Sequence, residues 1–108
     1  MKITELISQS DHTDFSFEVL PPLKGAGIKT LQDDIKKLLE FDPKYINITT
    51  HRSEVVMKDL GNGLLERSTL RRRPGSVAVA AALQQEFNIP IVPHILCSGF
   101  TREETEYV

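Results

Sequence analysis

From Phe15 to Leu20 the chain alternates, with Phe15, Phe17 and Val19 in one phase and Ser16, Glu18 and Leu20 in the other. A period of two predicts a strand with one side against a packing layer, and the pair Pro21-Pro22 stops it. Leu31, Ile35, Leu38 and Leu39 then recur at helical spacing, with Thr30 and Asp33 placed as a capping pair and Pro43 ending the helix. A second strand is expected over Tyr45 to Thr50, with Ile46 and Ile48 on one side and Asn47 and Thr49 on the other; so polar a side is unusual for a buried strand. Residues 52–75 read as a long polar connection. Ser76 is placed to cap a helix running through Val77, Val79, Ala80, Leu83 and Phe87, and Ile91 to Cys97 reads as a third strand. Thr101-Arg102-Glu103-Glu104 has the spacing of a capping box and opens another helix.

Strand, helix, strand, helix, strand, helix implies right-handed crossovers and a parallel sheet, hence an α/β fold. A doubly wound nucleotide fold calls for a glycine fingerprint directly after the first strand. Gly25 and Gly27 lie beyond Pro21-Pro22 and lack a third glycine, and Gly61 and Gly63 are followed by Glu66 where that glycine belongs. In a closed α/β barrel the strands are apolar toward the helices, while inward residues near the strand carboxyl ends carry the chemistry. Glu18, Thr49 and His94 all fit that inward, late position. With 108 residues against the roughly 250 of a full eight-unit barrel, the expectation is a single partial domain over residues 1–108. On the resemblance that its strand motifs carry, set out below, it comprises the first three strand-helix units of a (βα)8 TIM-type barrel.

Composition narrows the function classes. The apolar fraction of 40% and charged fraction of 26% suit a packed globular domain. A net charge of -2 argues against a grip on nucleic acid or anionic lipid through overall charge. The opening Met1 to Ile7 contains an acidic residue and no long apolar run, so neither a signal peptide nor a membrane span is read there, and a cytoplasmic location is expected. Cys97 is the only cysteine, which excludes an internal disulfide and a cysteine-built zinc cage within one chain.

Three groups are candidates for chemistry. Glu18 sits in the polar phase of its strand, where partial desolvation would let a carboxyl act as an acid near neutral pH; a structural carboxylate tied to backbone donors is the alternative. His94 shares a phase with Val92 and Leu96, and His51 directly follows the second strand, so with Glu18 they could form a two-histidine, one-carboxylate metal set, although no spacing is specific for one and no metal is expected. Arg67, Arg71, Arg72 and Arg73 form the one basic cluster, suited to phosphates or carboxylates but equally to a solvated loop.

The run Phe15-Ser16-Phe17-Glu18-Val19-Leu20-Pro21-Pro22 resembles the opening strand of methylenetetrahydrofolate reductases. Tyr45-Ile46-Asn47-Ile48-Thr49-Thr50-His51 is similar to that family's second strand, and Pro93-His94-Ile95-Leu96-Cys97 to its third. The resemblance implies flavin adenine dinucleotide (FAD) as cofactor and a reduced nicotinamide nucleotide, NAD(P)H, as co-substrate. The activity it implies is reduction of methylenetetrahydrofolate to methyltetrahydrofolate in one-carbon metabolism. It further implies that Glu18 supplies the proton that assists opening of the folate five-membered ring, that Thr49 lies beside flavin and nicotinamide, and that Thr50 and His94 contact the flavin. Two features depart from the family pattern: the position of Thr50 is commonly aromatic, and residues 52–75 do not follow it. Other readings are a non-catalytic fragment that assembles through open sheet edges, or a fragment of a metal-dependent barrel. Strands left without barrel neighbours expose edges, so a homo-oligomer is expected.

Overall fold

The computed structural model describes residues 2–107. A short helix α1 (Ile3–Ser8) precedes strand β1 (Ser16–Val19), and helix α2 (Lys29–Leu38) runs into a 3-10 turn (Leu39–Phe41) before β2 (Tyr45–Ile48). Strands β3 (Glu54–Gly61) and β4 (Leu64–Leu70) follow, then helix α3 (Ser76–Phe87), β5 (Ile91–Pro93) and α4 (Arg102–Tyr107). Strands β1, β2 and β5 form one parallel sheet in that order, and β3 and β4 form a separate antiparallel ribbon.

The parallel sheet is held by one of its faces. Its register aligns Phe17 with Ile46 and Ile46 with Ile91, while Val19 aligns with Ile48 and Ile48 with Pro93. Ile46 and Ile48 are fully buried against Leu31 and Ile35 of α2 and Val79, Ala80 and Leu83 of α3. Both crossover helices therefore cover the same side of the sheet, and the Gln32 amide donates to the Glu86 carboxylate between them. A doubly wound sheet divides its helices between two faces; this one does not.

Several expected boundaries are corrected. Phe15 lies before β1 and is 65% exposed. Helix α2 starts at Lys29 after Ile28, which makes no side-chain cap, so Thr30 and Asp33 are inside the helix rather than at its cap. It ends at the turn where Asp42 takes a left-handed φ of 51°, with buried Pro43 beyond. Gly75, not Ser76, is the N-cap of α3: its backbone is extended, with φ -63° and ψ 138°, and Ser76 is already the first residue of the helix. The third strand stops at Pro93 rather than Cys97. Proline cannot donate to a ladder and is tolerated here on the edge strand β5; one further ladder bond follows, from His94 N–H to the Ile48 carbonyl at 2.8 Å. Of the capping box expected at α4, the side-chain cap is formed: the Glu104 N–H donates to Thr101 Oγ1 at 3.2 Å.

The largest departure is residues 52–75, where a two-stranded ribbon replaces the expected loop. Asn62 and Gly63 both have positive φ, 53° and 74°, the combination a two-residue hairpin turn with the twist of its strands requires. All of β4, and all of β3 except half-buried Val56, is exposed. The ribbon draws the molecule out to 66 Å in its longest dimension. The Cα radius of gyration is 17.7 Å, against about 13 Å for a compact chain of this length.

Stability should accordingly reside in the helix-covered face. Ile48→Ala is expected to cost about 2–5 kcal/mol in denaturant unfolding, whereas Leu65→Ala in the ribbon, where the side chain is 61% exposed, should cost less than about 0.5 kcal/mol. Similar losses for the two would contradict this division.

Candidate active site

Burying Ile46 and Ile48 turns their neighbours in β2 the other way, because successive side chains of a strand point to opposite faces. The face away from the helices thus carries Ser16 and Glu18 from β1, Asn47 from β2, Thr49 just beyond it, and Val92 and His94 at the end of β5. Register places Glu18 beside Asn47 and Asn47 beside Val92, with His94 two residues farther toward the carboxyl ends. Asn47 spans the middle. Its Nδ2 donates to the Phe17 carbonyl at 3.4 Å, and its Oδ1 lies 3.4 Å from His94 Nε2. With the amide nitrogen directed toward β1, Oδ1 is left to accept, so this geometry favours a proton on His94 Nε2.

Glu18 is exposed. The burial expected for it is not present among the described residues, although Asn47, Thr49, Val92 and His94 on the same face are half-buried. Thr49 donates its backbone N–H to the Val19 carbonyl at 3.2 Å, and its hydroxyl is 3.0 Å from Nε2 of exposed His51. Thr50 faces a different set of partners. Its hydroxyl donates to Ser76 Oγ at 2.8 Å, and Ser76, only 1% exposed, donates in turn to the His94 carbonyl at 2.7 Å. The Thr50 hydroxyl also reaches that carbonyl. Two hydroxyls from the start of the ribbon connection and the start of α3 therefore fix the backbone on which His94 stands.

Glu18, His51 and His94 are not brought together as a ligand set, and among the described residues no group of three histidine, cysteine or acidic side chains could hold a metal ion. Three of the four arginines in the cluster are occupied by internal partners. Arg71 Nη2 pairs with Glu103 at 2.9 Å and its guanidinium lies over the Tyr107 ring at 4.5 Å, with its buried Nε lacking a partner among the described residues. Arg72 Nε pairs with Glu54 at 2.6 Å, Arg73 donates to the Pro21 carbonyl, and Arg67 stands in the ribbon opposite Met57. Arg52, which the sequence did not single out, donates to the Ser98 carbonyl and lies over the Phe100 ring. Its guanidinium runs so close to Gly99 that a Cβ there would come within 2.8 Å of Nη1. These contacts tie the loops after β1, β2 and β5 to one another at the end of the sheet where Thr49 and His94 lie.

The opposite end of the sheet carries different electrostatics. A hydrogen bond with His12 at 2.9 Å, aided by the backbone of Asp11 itself, holds the Asp11 carboxyl below the usual carboxylate range. That group precedes β1 and lies away from the site.

The family described as Methylenetetrahydrofolate reductase matches residues 2–107. The chain belongs to that family. No curated relative and no solved structure matches it. The family carries an oxidoreductase and folate theme, and it agrees with the three strand motifs that supply Glu18, Thr49 and His94. No helix among the described residues is long and apolar enough to cross a membrane. Asn47 and Ser76 were not recognised in the sequence as members of the site. Asn47 stood out only as one of the polar positions in its strand, and Ser76 was masked by its resemblance to a helix cap.

The hydroxyl relay should be energetically coupled. Ser76→Ala and Thr50→Val are each expected to lower stability by about 1–2 kcal/mol, and the double variant by less than their sum. A double-mutant cycle in denaturant unfolding measures this, and strict additivity would show that the two hydroxyls do not act as one unit.

Proposed function

We propose that this chain forms the opening arc of a (βα)8 barrel that reduces methylenetetrahydrofolate to methyltetrahydrofolate with FAD as redox group and a reduced nicotinamide nucleotide as donor. The observation that carries this reading is the alignment of Glu18, Asn47 and His94 across three parallel strands, on the face that the helices leave open. Helices confined to one face suit a barrel arc, in which the polar side of each strand turns toward the centre. The further strands of such a barrel would cover Glu18 and supply the desolvation this arc lacks.

The donor set fits the ring end of a flavin: the imidazole of His94 braced by Asn47, and the hydroxyl of Thr49 with His51 beside it. It offers no comparable cradle for the phosphates, because Arg71, Arg72 and Arg73 are engaged by Glu103, Glu54 and the Pro21 carbonyl. Flavin-phosphate contacts therefore belong to other parts of the barrel. A flavin bound there would supply the hydride chemistry that links the nicotinamide to the folate.

Glu18 donates a proton from its carboxyl to the folate as the five-membered ring opens, a role that calls for a carboxyl at the strand end with no structural partner. Consistent with that, the side chain is exposed rather than tied into the fold. Thr49 binds and orients at the junction of flavin and nicotinamide. His94 presents its imidazole to the flavin. Thr50 stands beside them and acts through the His94 backbone, since its hydroxyl is taken up by Ser76 and the His94 carbonyl.

Proton donation is needed at the folate step and not for nicotinamide oxidation. In the flavin-loaded enzyme, Glu18→Gln is thus expected to slow folate reduction by at least about 10²-fold while leaving flavin reduction by the nicotinamide nearly unchanged. Stopped-flow measurement of the two half-reactions separates them. Equal loss in both, with flavin still bound, would remove Glu18 from this role.

A further inference from the structure

The ribbon of β3 and β4 presents a surface that the reductase reading does not use. Among the described residues β3 pairs with β4 alone, so its outer edge offers unpaired backbone donors and acceptors. That edge has no proline and carries apolar side chains into solvent, with Val55 53% and Met57 54% exposed. Such an edge is a template for another strand.

The sequence of the edge specifies which strand. Glu54-Val55-Val56-Met57-Lys58 is symmetric about Val56 in chemical character: an acid and a base at the ends, apolar residues between. When two copies pair antiparallel about a two-fold axis, residues at equal distances on either side of the centre stand opposite each other. Centring on Val56 sets Glu54 against Lys58 of the second copy, Val55 against Met57, and Val56 against itself. No neighbouring register does this. Centring on Met57 sets Val56 against Lys58 and Val55 against Asp59, and centring on Val55 sets Glu54 against Val56. The edge of β4 offers no such match: a centre at Glu66 or Arg67 confronts like charges, and a centre at Leu65 or Ser68 sets both Glu66 and Arg67 against uncharged residues.

We infer that two copies of this chain associate by pairing their β3 edges about Val56, merging two ribbons into one antiparallel sheet. Existing contacts extend the charge match beyond the new seam. Glu54 is already paired with Arg72, and Lys58 stands opposite Glu66 within the ribbon. A row of alternating sign therefore runs from Arg72 through Glu54 to Lys58 and Glu66 of the second copy. On the other face Val55 and Met57 cover each other, and the tip of each ribbon, with Leu60 and Leu64 exposed, extends over the base of the other. None of the residues assigned to folate or flavin lies in the ribbon, and the inference is read from association rather than activity, so its failure is distinguishable from failure of the reductase reading.

Sedimentation equilibrium of the 108-residue chain at low ionic strength provides the test. The unaltered chain is expected to form dimers. Lys58→Glu and Glu54→Lys should each raise the dimer dissociation constant by about tenfold or more, because either change confronts like charges at both ends of the seam. An equimolar mixture of the two variants should recover association as mixed dimers, since every charged pair across the seam is then opposite again. Circular dichroism should show unchanged secondary structure in both variants. A monomer at all concentrations, association indifferent to either substitution, or no recovery on mixing would each overturn the inference.

Discussion

The structure depends on the burial of one face of a short parallel sheet beneath two helices. Ile46 and Ile48 lie at its centre with no exposure, enclosed by Leu31 and Ile35 on one side and by Val79, Ala80 and Leu83 on the other. Because side chains alternate along a strand, fixing these two isoleucines inward also fixes Asn47 and Thr49 on the opposite face. A slip of one residue would exchange the two sets, placing an amide and a hydroxyl in the apolar layer. The polar face is thus positioned by the same packing that holds the chain together, and Glu18 and His94 are aligned with Asn47 by ladder register rather than by contacts of their own.

Beyond the strand ends, positioning passes to polar contacts. Ser76 is buried at the first turn of α3 and donates to the His94 carbonyl, so the helix that covers the apolar face also restrains the residue on the polar one. Thr50 extends this link to the end of β2. Arg52 and Arg73 reach backbone carbonyls in other loops, at Ser98 and Pro21. A buried hydroxyl such as that of Ser76 is costly unless hydrogen-bonded, which makes its attachment specific in a way that apolar packing is not.

The elements that were legible in the sequence are those whose periodicity and burial agree. The alternation around Ile46 and Ile48 and the helical spacing of Leu31 and Ile35 read correctly because the same residues form the core. The family was legible because its motifs lie in these strands, and residues 2–107 match it. The ribbon was missed although Asn62-Gly63 is a strong turn signal, because its apolar residues cover no core and were read as part of a polar connection. Thr30 and Ser76 looked like caps by residue type, but capping depends on where the backbone enters the helix, and both residues lie inside their helices, with the Ser76 hydroxyl donating to the His94 carbonyl. Glu18 was placed on the right face, yet its exposure depends on what lies over the sheet, which strand periodicity does not encode.

The reading we propose gives the two faces of the sheet separate duties, one holding the fold and the other holding chemistry, with Glu18 belonging wholly to the second. The most direct measurement is the unfolding free energy of the Glu18→Ala variant in guanidinium chloride beside that of the unaltered chain. A carboxylate with no structural partner predicts a change within about 0.5 kcal/mol. A loss of about 2 kcal/mol or more would mean that Glu18 is tied into the fold as a structural carboxylate, and would contradict the account.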